Sequence, residues 1–183
     1  MTRQEAYDIL MKYLTNKNLI KHCLAAEASM RGLARYFGDD EDKWGIVGLL
    51  HDADYEMSKG KPEQHGLLLF QNEKDIPEDI TYAIKSHNYE RNGVTPKSRM
   101  DWAITCCDTL TGIIVACALI LPEKKLSAVT NEFVIKKMKQ PAFASGADRT
   151  QIYLCEEKLG MPLLEFVTIC LTEMQNIHED LEL

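Results

Sequence analysis

The sequence lacks the cysteine patterns of zinc ribbons and disulfide-rich domains. It contains no CxxC motif, and no pair of cysteines has the spacing of a zinc knuckle. Most cysteines lie within apolar helical patterns, which predicts small buried side chains in a reducing compartment. The six are Cys23, Cys106, Cys107, Cys117, Cys155 and Cys170.

The chain also lacks an excess of basic residues. Its 21 Lys and Arg stand against 28 Asp and Glu, which gives a formal charge of −7. This balance argues against binding to a nucleic-acid polymer or to a membrane surface, because both need a basic face. The first residues, MTRQEAYDILMKYL, have the pattern of neither a signal peptide nor a transit peptide, so we expect a cytoplasmic protein.

Strand-like alternation bounded by hairpin turns is absent, whereas helix boundaries recur along the whole chain. We therefore predict an all-α fold, with residues 1–183 forming a single globular domain of roughly seven to nine helices. The chemically informative residues lie in a core of about 18–120, and helices from about 130–183 are expected to pack on it.

Specific residues predict where several helices begin and end. The predicted boundaries are a capping box of Thr2 with Glu5, a second box of Asp75 with Glu78, a stop at Gly38, a short helix from Pro62, and a long apolar helix that opens at Thr95 and Pro96 and ends at Pro122. Within that long helix, residues 102–121 are long enough to span a membrane but include an acid, which is more typical of a buried core helix.

Four of the five histidines occupy informative places in this pattern. His22 lies within a helix, and His51 directly follows the apolar run GIVGLL. His65 is predicted near the start of a helix and His87 at the end of one.

Two aspartates accompany these histidines. Asp52 follows His51, and Asp108 lies in mid-helix among apolar or weakly polar residues. A buried carboxylate needs a cationic or hydrogen-bonding partner, and no basic residue follows Asp108 before Lys124. A divalent metal would satisfy several buried acids and imidazoles at once.

The order of these residues resembles the HD-domain superfamily of metal-dependent phosphohydrolases. The matching residues are a helical His22, the LLHD motif that ends at Asp52, and a distant Asp108, over about residues 18–120. The branch with two metals has two further histidines, which QHG and AIKSHN supply here as His65 and His87. The second of these looks like the helix-ending histidine of HDIG-type proteins, including those similar to symmetrical dinucleoside tetraphosphate hydrolases.

The resemblance implies an all-helical fold that binds one or two divalent ions per chain, of Mn, Fe, Zn, Ni or Mg. It implies hydrolysis of a small phosphorylated metabolite, such as a nucleotide or dinucleotide, by a metal-bound hydroxide, with Asp52 and His51 as catalytic residues. Asp52 would bridge two ions, the first bound with His22, His51 and Asp108 and the second with His65 and His87.

The chain departs from the HDIG pattern directly after the doublet, where Ala53 and Asp54 replace Ile-Gly. The identity of the substrate therefore does not transfer. Asp54 and Glu56 are either acceptors or proton shuttles that support the site, or a solvated acidic helix end.

Recognition of a phosphate needs polar or cationic groups near the metals. The main candidates are Lys61, Asn88 and Arg149, the last placed at a helix start where it could clamp a phosphate with two hydrogen bonds. Lys85, Arg91 and the lysines of residues 136–139 are further candidate cations, and Thr109 and Thr111 lie near the proposed ligands and could form hydrogen bonds. Each of the cations is otherwise an ordinary surface residue.

Two other functions are compatible with the same residues. Four histidines and two aspartates resemble the di-iron site of myo-inositol oxygenase, which activates dioxygen. A binding or regulatory module without catalysis is the other alternative. The apolar pattern of residues 151–183 can either close the helical bundle or form a homodimer contact.

Overall fold

The computed structural model describes all 183 residues and contains eleven α-helices, two 3₁₀ turns and no strand. The predicted all-α class is confirmed. Eight helices have eight residues or more, and the other three are single turns of four residues. The helices are α1 (Arg3–Tyr13), α2 (Lys17–Phe37), α3 (Glu41–Leu50), α4 (Leu69–Asn72), α5 (Glu78–Ser86), α6 (Tyr89–Asn92), α7 (Arg99–Ile120), α8 (Asn131–Met138), α9 (Arg149–Leu159), α10 (Leu163–Asn176) and α11 (His178–Leu181).

Some helix ends form as the sequence predicts. The Thr2 side chain accepts from the Glu5 amide while the Glu5 carboxylate accepts from the Thr2 amide, so the first capping box is present. Helix α2 ends at Gly38, whose φ of 72° lies in the left-handed region that glycine adopts without strain.

Other predicted helix ends are wrong. Asp75 caps nothing, because the N-cap position of α5 is Pro77, which has no side-chain acceptor. Helix α7 begins after a capping box of Ser98 with Asp101, and not at Thr95 and Pro96.

The helix predicted from Pro62 is also interrupted. Pro62–Gln64 form a single 3₁₀ turn, and the chain becomes helical again only at Leu69. Gly66, whose φ is +81°, lies in this gap and holds a backbone conformation that a continuous right-handed helix does not allow.

The two longest helices, α2 and α7, form the centre of the molecule. Helix α2 packs against α3, α7, α10 and α11, and α7 packs against α5, α8, α9 and α10. One cluster of buried apolar side chains extends from Ala6 to Leu181 through these helices. The 22-residue α7 is long and apolar enough to cross a membrane, but 61% of its most apolar stretch is buried among the other helices.

Helices α2 and α3 approach each other closely at Gly48. A Cβ atom at this position would lie 2.6 Å from the Ala26 carbonyl oxygen and 2.7 Å from the Glu27 nitrogen. Because Ala26 lies one turn after His22 and Gly48 lies one turn before His51, this contact brings the two histidines together.

All six cysteines are buried and unpaired by disulfides, as predicted. Burial raises the pKa of Cys155 to about 12 and the pKa of Cys117 to about 11. At neutral pH these thiols are therefore protonated core side chains.

Candidate metal centre

The six residues predicted as metal ligands meet at one place in the fold. His22 projects from α2 and Asp108 from α7, while His51 and Asp52 directly follow α3. The remaining two, His65 and His87, follow the 3₁₀ turn and α5 respectively. Their ligand atoms form two groups of three, and within each group all of the ligand atoms lie within 4.8 Å of one another.

The first group consists of His22, His51 and Asp108. The Oδ1 atom of Asp108 lies 2.9 Å from His22 Nε2 and 3.5 Å from His51 Nε2. The side chains of His22 and Asp108 are 23% and 28% exposed, so this group opens to solvent on one side.

The second group consists of Asp52, His65 and His87. Asp52 Oδ1 lies 2.9 Å from His65 Nε2 and 3.7 Å from His87 Nε2. Asp52 also faces the first group, with 3.6 Å from its Oδ2 to His22 Nε2 and 3.6 Å from its Oδ1 to His51 Nε2. Asp52 belongs to the second group and lies 3.6 Å from both histidines of the first, so it faces both groups.

Backbone carbonyls orient two of the histidines. His51 Nδ1 lies 2.8 Å from the Gly48 oxygen, and His87 Nδ1 lies 2.5 Å from the Ile84 oxygen. A carbonyl oxygen only accepts, so each Nδ1 carries the proton and donates it. Each Nε2 therefore presents a lone pair to the centre.

Side chains orient the other two histidines in the same sense. His65 Nδ1 donates to Asp54 Oδ1 at 2.9 Å. The Thr111 hydroxyl donates to the Asp108 carbonyl oxygen at 2.8 Å, which leaves its oxygen to accept from His22 Nδ1 at 3.2 Å. All four histidines therefore direct Nε2 into the centre, the orientation of imidazoles that bind metals through Nε2.

Asp54 is the most completely satisfied side chain beside the centre. It is fully buried and accepts hydrogen bonds from His65 Nδ1 and from the amides of Gly66, Leu68 and Leu69, at 2.8 to 3.2 Å. Burial raises the pKa of Asp54, but these donors outweigh it and the pKa falls below its ordinary value. Of the two alternatives left by the sequence, the structure shows the supporting acceptor.

The histidine contacts test whether a cation fits this centre. His51 Nε2 lies 3.2 Å from His22 Nε2, and His65 Nε2 lies 3.0 Å from His87 Nε2. Two imidazole lone pairs at such a distance repel each other unless a proton or a metal ion lies between them. The donor set therefore fits bound cations.

In the metal-free protein, protons on His22 and His65 supply the positive charge between the neighbouring histidines. Loss of solvent lowers the pKa of His22, but its hydrogen bond to Asp108 and the nearby carboxylate charges raise the pKa to about 9. His65 responds in the same way to Asp52 and Asp54, and its pKa rises to about 10. Burial and the neighbouring His65 and His51 lower the pKa of His87 to about 4, so this ring stays neutral.

Two cavities of different character border the centre, one at His65 and the other at His22. The first, a cleft of about 810 Å³, contains His65 in its wall together with Lys59, Asn88 and Arg91. The second, a groove of about 430 Å³, contains His22 in its wall and is largely apolar.

The phosphate clamp predicted at Arg149 is wrong. Its Nε donates to the Met138 oxygen, and its two terminal nitrogens donate to four more carbonyls in the α8–α9 connection. All five N–H groups of the guanidinium are used in this way, so none is left for a phosphate. Arg149 instead holds together the connection whose Gly146 borders the cleft.

The other two predicted substrate contacts have different positions. Asn88 lies in the cleft wall, but its amide nitrogen donates to the carbonyls of Pro62 and His65, which leaves only its side-chain oxygen free. Lys61 is exposed and is absent from that wall, where Lys59 and Arg91 are the cations. Neither Lys59 nor Arg91 forms an ion pair with the protein, and sequence reasoning did not single out Lys59.

Comparison with protein-family models, with curated proteins and with solved structures finds no match to this chain. An all-helical protein with a His and Asp cluster able to bind metal is compatible with an HD-like domain.

Proposed function

We propose that this protein is a metal-dependent phosphohydrolase that acts on a small phosphorylated metabolite of the nucleotide or dinucleotide class. One observation carries the proposal: Asp52 faces two ligand groups, and these lie beside a cleft whose wall contains unpaired cations. Binuclear centres of this kind are suited to phosphoryl transfer, because phosphate esters need both an activated nucleophile and neutralisation of charge.

The first ion would be held by His22, His51 and Asp108, and the second by His65 and His87, with Asp52 available to both. Imidazole and carboxylate donors favour Mn, Fe, Zn or Ni over Mg, which prefers oxygen ligands. Divalent ions bound there would supply an activated water and would neutralise charge on the phosphoryl oxygens.

The protein residues contribute charge and orientation. Burial disfavours ionisation of Asp52 and Asp108, but the adjacent histidines outweigh it and lower both pKa values, so both side chains are anionic at neutral pH. Lys59 and Arg91 place positive charge in the cleft on the His65 side, where they can attract the phosphate groups of a substrate.

A covalent mechanism through a cysteine has little support. The thiols are buried, and burial raises the pKa of Cys23, the cysteine that follows His22 in the chain. A protonated thiol is a poor nucleophile.

The test compares wild-type protein with Asp52→Ala, each offered Mn²⁺, in a phosphate-release assay on a panel of mononucleotides and dinucleoside polyphosphates. Asp52→Ala should lose at least about 10³-fold in turnover, since the residue serves both ligand groups. Asp75→Ala is the matched control, because Asp75 is exposed and has no hydrogen-bonding or ionic partner, and it should retain full activity.

Three results would contradict the hydrolase proposal. Equal turnover by Asp52→Ala and wild type would show that the centre does not perform the reaction. Oxygen consumption by the iron-loaded protein, without phosphate release, would favour the di-iron oxygenase. Nucleotide binding without turnover by the metal-loaded protein would favour a regulatory module.

A further inference from the structure

An apolar groove runs away from the metal centre on the His22 side. It lies between the first half of α2 and the second half of α7, and residues 181–183 border it. Its volume is about 430 Å³, and its wall includes His22, Gly112, Val115, Leu119, Leu181 and Leu183. We call it the α2–α7 groove.

Gly112 sets the α2–α7 groove apart from the rest of the fold. A Cβ atom added at three other helical glycines would lie too close to neighbouring atoms, at 2.5 Å for Gly32, 2.6 Å for Gly45 and 2.6 Å for Gly48. At Gly112 an added Cβ would meet no atom within 4 Å. Glycine destabilises a helix interior, and packing does not require it here, so its effect is to leave open space above α7.

The α2–α7 groove is continuous with the metal centre. Asp108, Gly112, Val115 and Leu119 follow one another at intervals of three or four residues, so they share one face of α7. Asp108 is a member of the first ligand group at one end of this face, and Leu119 is half exposed at the other. His22 belongs to both the groove wall and the ligand group.

Two charged side chains in the wall of the α2–α7 groove, Lys21 and Glu182, form an ion pair with each other. Lys21 Nζ lies 2.6 Å from Glu182 Oε2, and both residues contribute to the groove wall. The cleft at His65 carries the unpaired cations Lys59 and Arg91 instead, which outnumber the one acidic residue of its wall, Glu56. An uncharged group therefore fits the α2–α7 groove, and phosphate oxygens fit the cleft at His65.

We propose that the α2–α7 groove binds the uncharged, apolar organic group of the substrate while the phosphate lies at the metal centre. This inference rests on the proposed function and narrows its substrate class to phosphorylated molecules that carry an uncharged group with apolar faces, such as the planar base of a nucleotide. Sugar phosphates without such a group would leave the groove unfilled.

The test measures binding by titration calorimetry of the full chain loaded with Mn²⁺, using two phosphonates that cannot be hydrolysed at an ester bond. Methylphosphonate carries only the phosphoryl group, whereas 1-naphthylmethylphosphonate adds an aromatic group that can occupy the groove. The naphthyl probe should bind at least about tenfold more tightly, an advantage expected from burial of aromatic surface.

Two variants locate this advantage in the α2–α7 groove. Gly112→Leu should fill the open space, and Leu119→Asn should make the wall polar; each should reduce the naphthyl advantage at least about fivefold and leave methylphosphonate binding unchanged. Ile120→Asn is the matched control for the second, because Ile120 is 51% exposed against 50% for Leu119 but does not line the groove. Thermal unfolding should show Gly112→Leu folded, with a midpoint no lower than wild type, since leucine is the better helix former.

The outcomes separate this inference from the proposed function. Failure of both phosphonates to bind the metal-loaded protein would overturn the proposed function and the inference together. Equal binding of the two phosphonates, or loss of the naphthyl advantage in Ile120→Asn as large as in Leu119→Asn, would overturn the inference alone.

Discussion

The two halves of the metal centre are built in different ways. In the first, His22 and Asp108 project from the interiors of α2 and α7, the two longest helices of the fold. In the second, His65 and Asp52 lie in the largely non-helical segment between α3 and α4, and His87 follows the end of α5.

This difference decides what holds each half in place. Helix packing fixes the first half, because α2, α3 and α7 contact one another and because α2 and α3 meet closely at Gly48. The second half depends on Asp54, whose carboxylate ties His65 to the backbone amides of Gly66, Leu68 and Leu69. One half is therefore positioned by apolar packing and the other by a single buried anion.

The largest effect is expected from removing Asp108, the carboxylate of the helical half. Asp108→Ala should leave the fold intact, since alanine is a good helix former, but should remove the ion of the first group and at least about 10³-fold of turnover. Elemental analysis and circular dichroism measure the two properties separately. Loss of helical signal, or retention of activity, would contradict a helix-positioned first group.

The next effect tests the loop-built half through Asp54→Asn. Asparagine replaces one carboxylate oxygen, which accepts hydrogen bonds, with an amide nitrogen, which cannot accept them. One buried N–H donor would therefore lose its partner, and the free energy of unfolding should fall by about 1–3 kcal/mol. Binding of the second ion should weaken about 10–100-fold, because His65 loses the group that orients it. Denaturant unfolding and calorimetric metal titration measure these changes.

Glu56→Gln is the control for Asp54→Asn. Glu56 accepts hydrogen bonds from the Thr15 amide and hydroxyl at the surface and contacts none of the six ligands. This variant should bind both ions as wild type does, and an equal loss in the two variants would show that Asp54 has no special role.

A smaller effect is expected from Gly48→Ala, which probes the packing that positions the first half. The added methyl group would press against the backbone of α2 at Ala26, and overpacking of this kind costs about 1–3 kcal/mol. Chemical denaturation should show this loss, with the first ion bound more weakly. Gly112→Ala, on the open face of α7, should instead be neutral or stabilising, and a reversed order would contradict the packing account.

The smallest effect concerns protons, which occupy both halves when metal is absent. His22 and His65 have pKa values raised to about 9 and about 10, so metal binding at pH 7 should release about two protons per chain. Calorimetric titration in buffers of different ionisation enthalpy counts them. Release of none would contradict the protonated metal-free centre.

The same pKa values set the sign of the pH dependence. A raised folded-state pKa contributes stability that is complete below the unfolded value of about 6.5 and is lost as pH rises through the folded value. The metal-free protein should therefore lose stability between pH 7 and 10, whereas the metal-loaded protein should keep more of it over that interval.

The sequence alone predicts the all-α class and identifies all six candidate ligands that lie together in the structure. Local patterns mark the helices, and the histidines and acids stand at places where those helices end or become buried. The capping box at Asp75 fails because it depends on a side chain at the N-cap, a position that Pro77 occupies.

The supporting residues depend on contacts that no local pattern encodes. Asp54 is a buried acceptor because the later segment around Gly66 folds back and supplies its donors. Arg149 is consumed by carbonyls of the connection that precedes it, so its place at a helix start is no guide to its role. Thr111, by contrast, was within reach of the sequence as a hydroxyl one turn after Asp108, and it contacts His22.

The central claim is that two ion sites share Asp52 and that only the second depends on Asp54. Elemental analysis of wild type and Asp54→Asn, purified without an affinity tag or chelator and then offered Mn²⁺ at a concentration that fills only tight sites, tests it most directly. The account predicts about two ions per chain for wild type and about one for the variant. No ion bound to wild type, or two bound to both proteins, would contradict it.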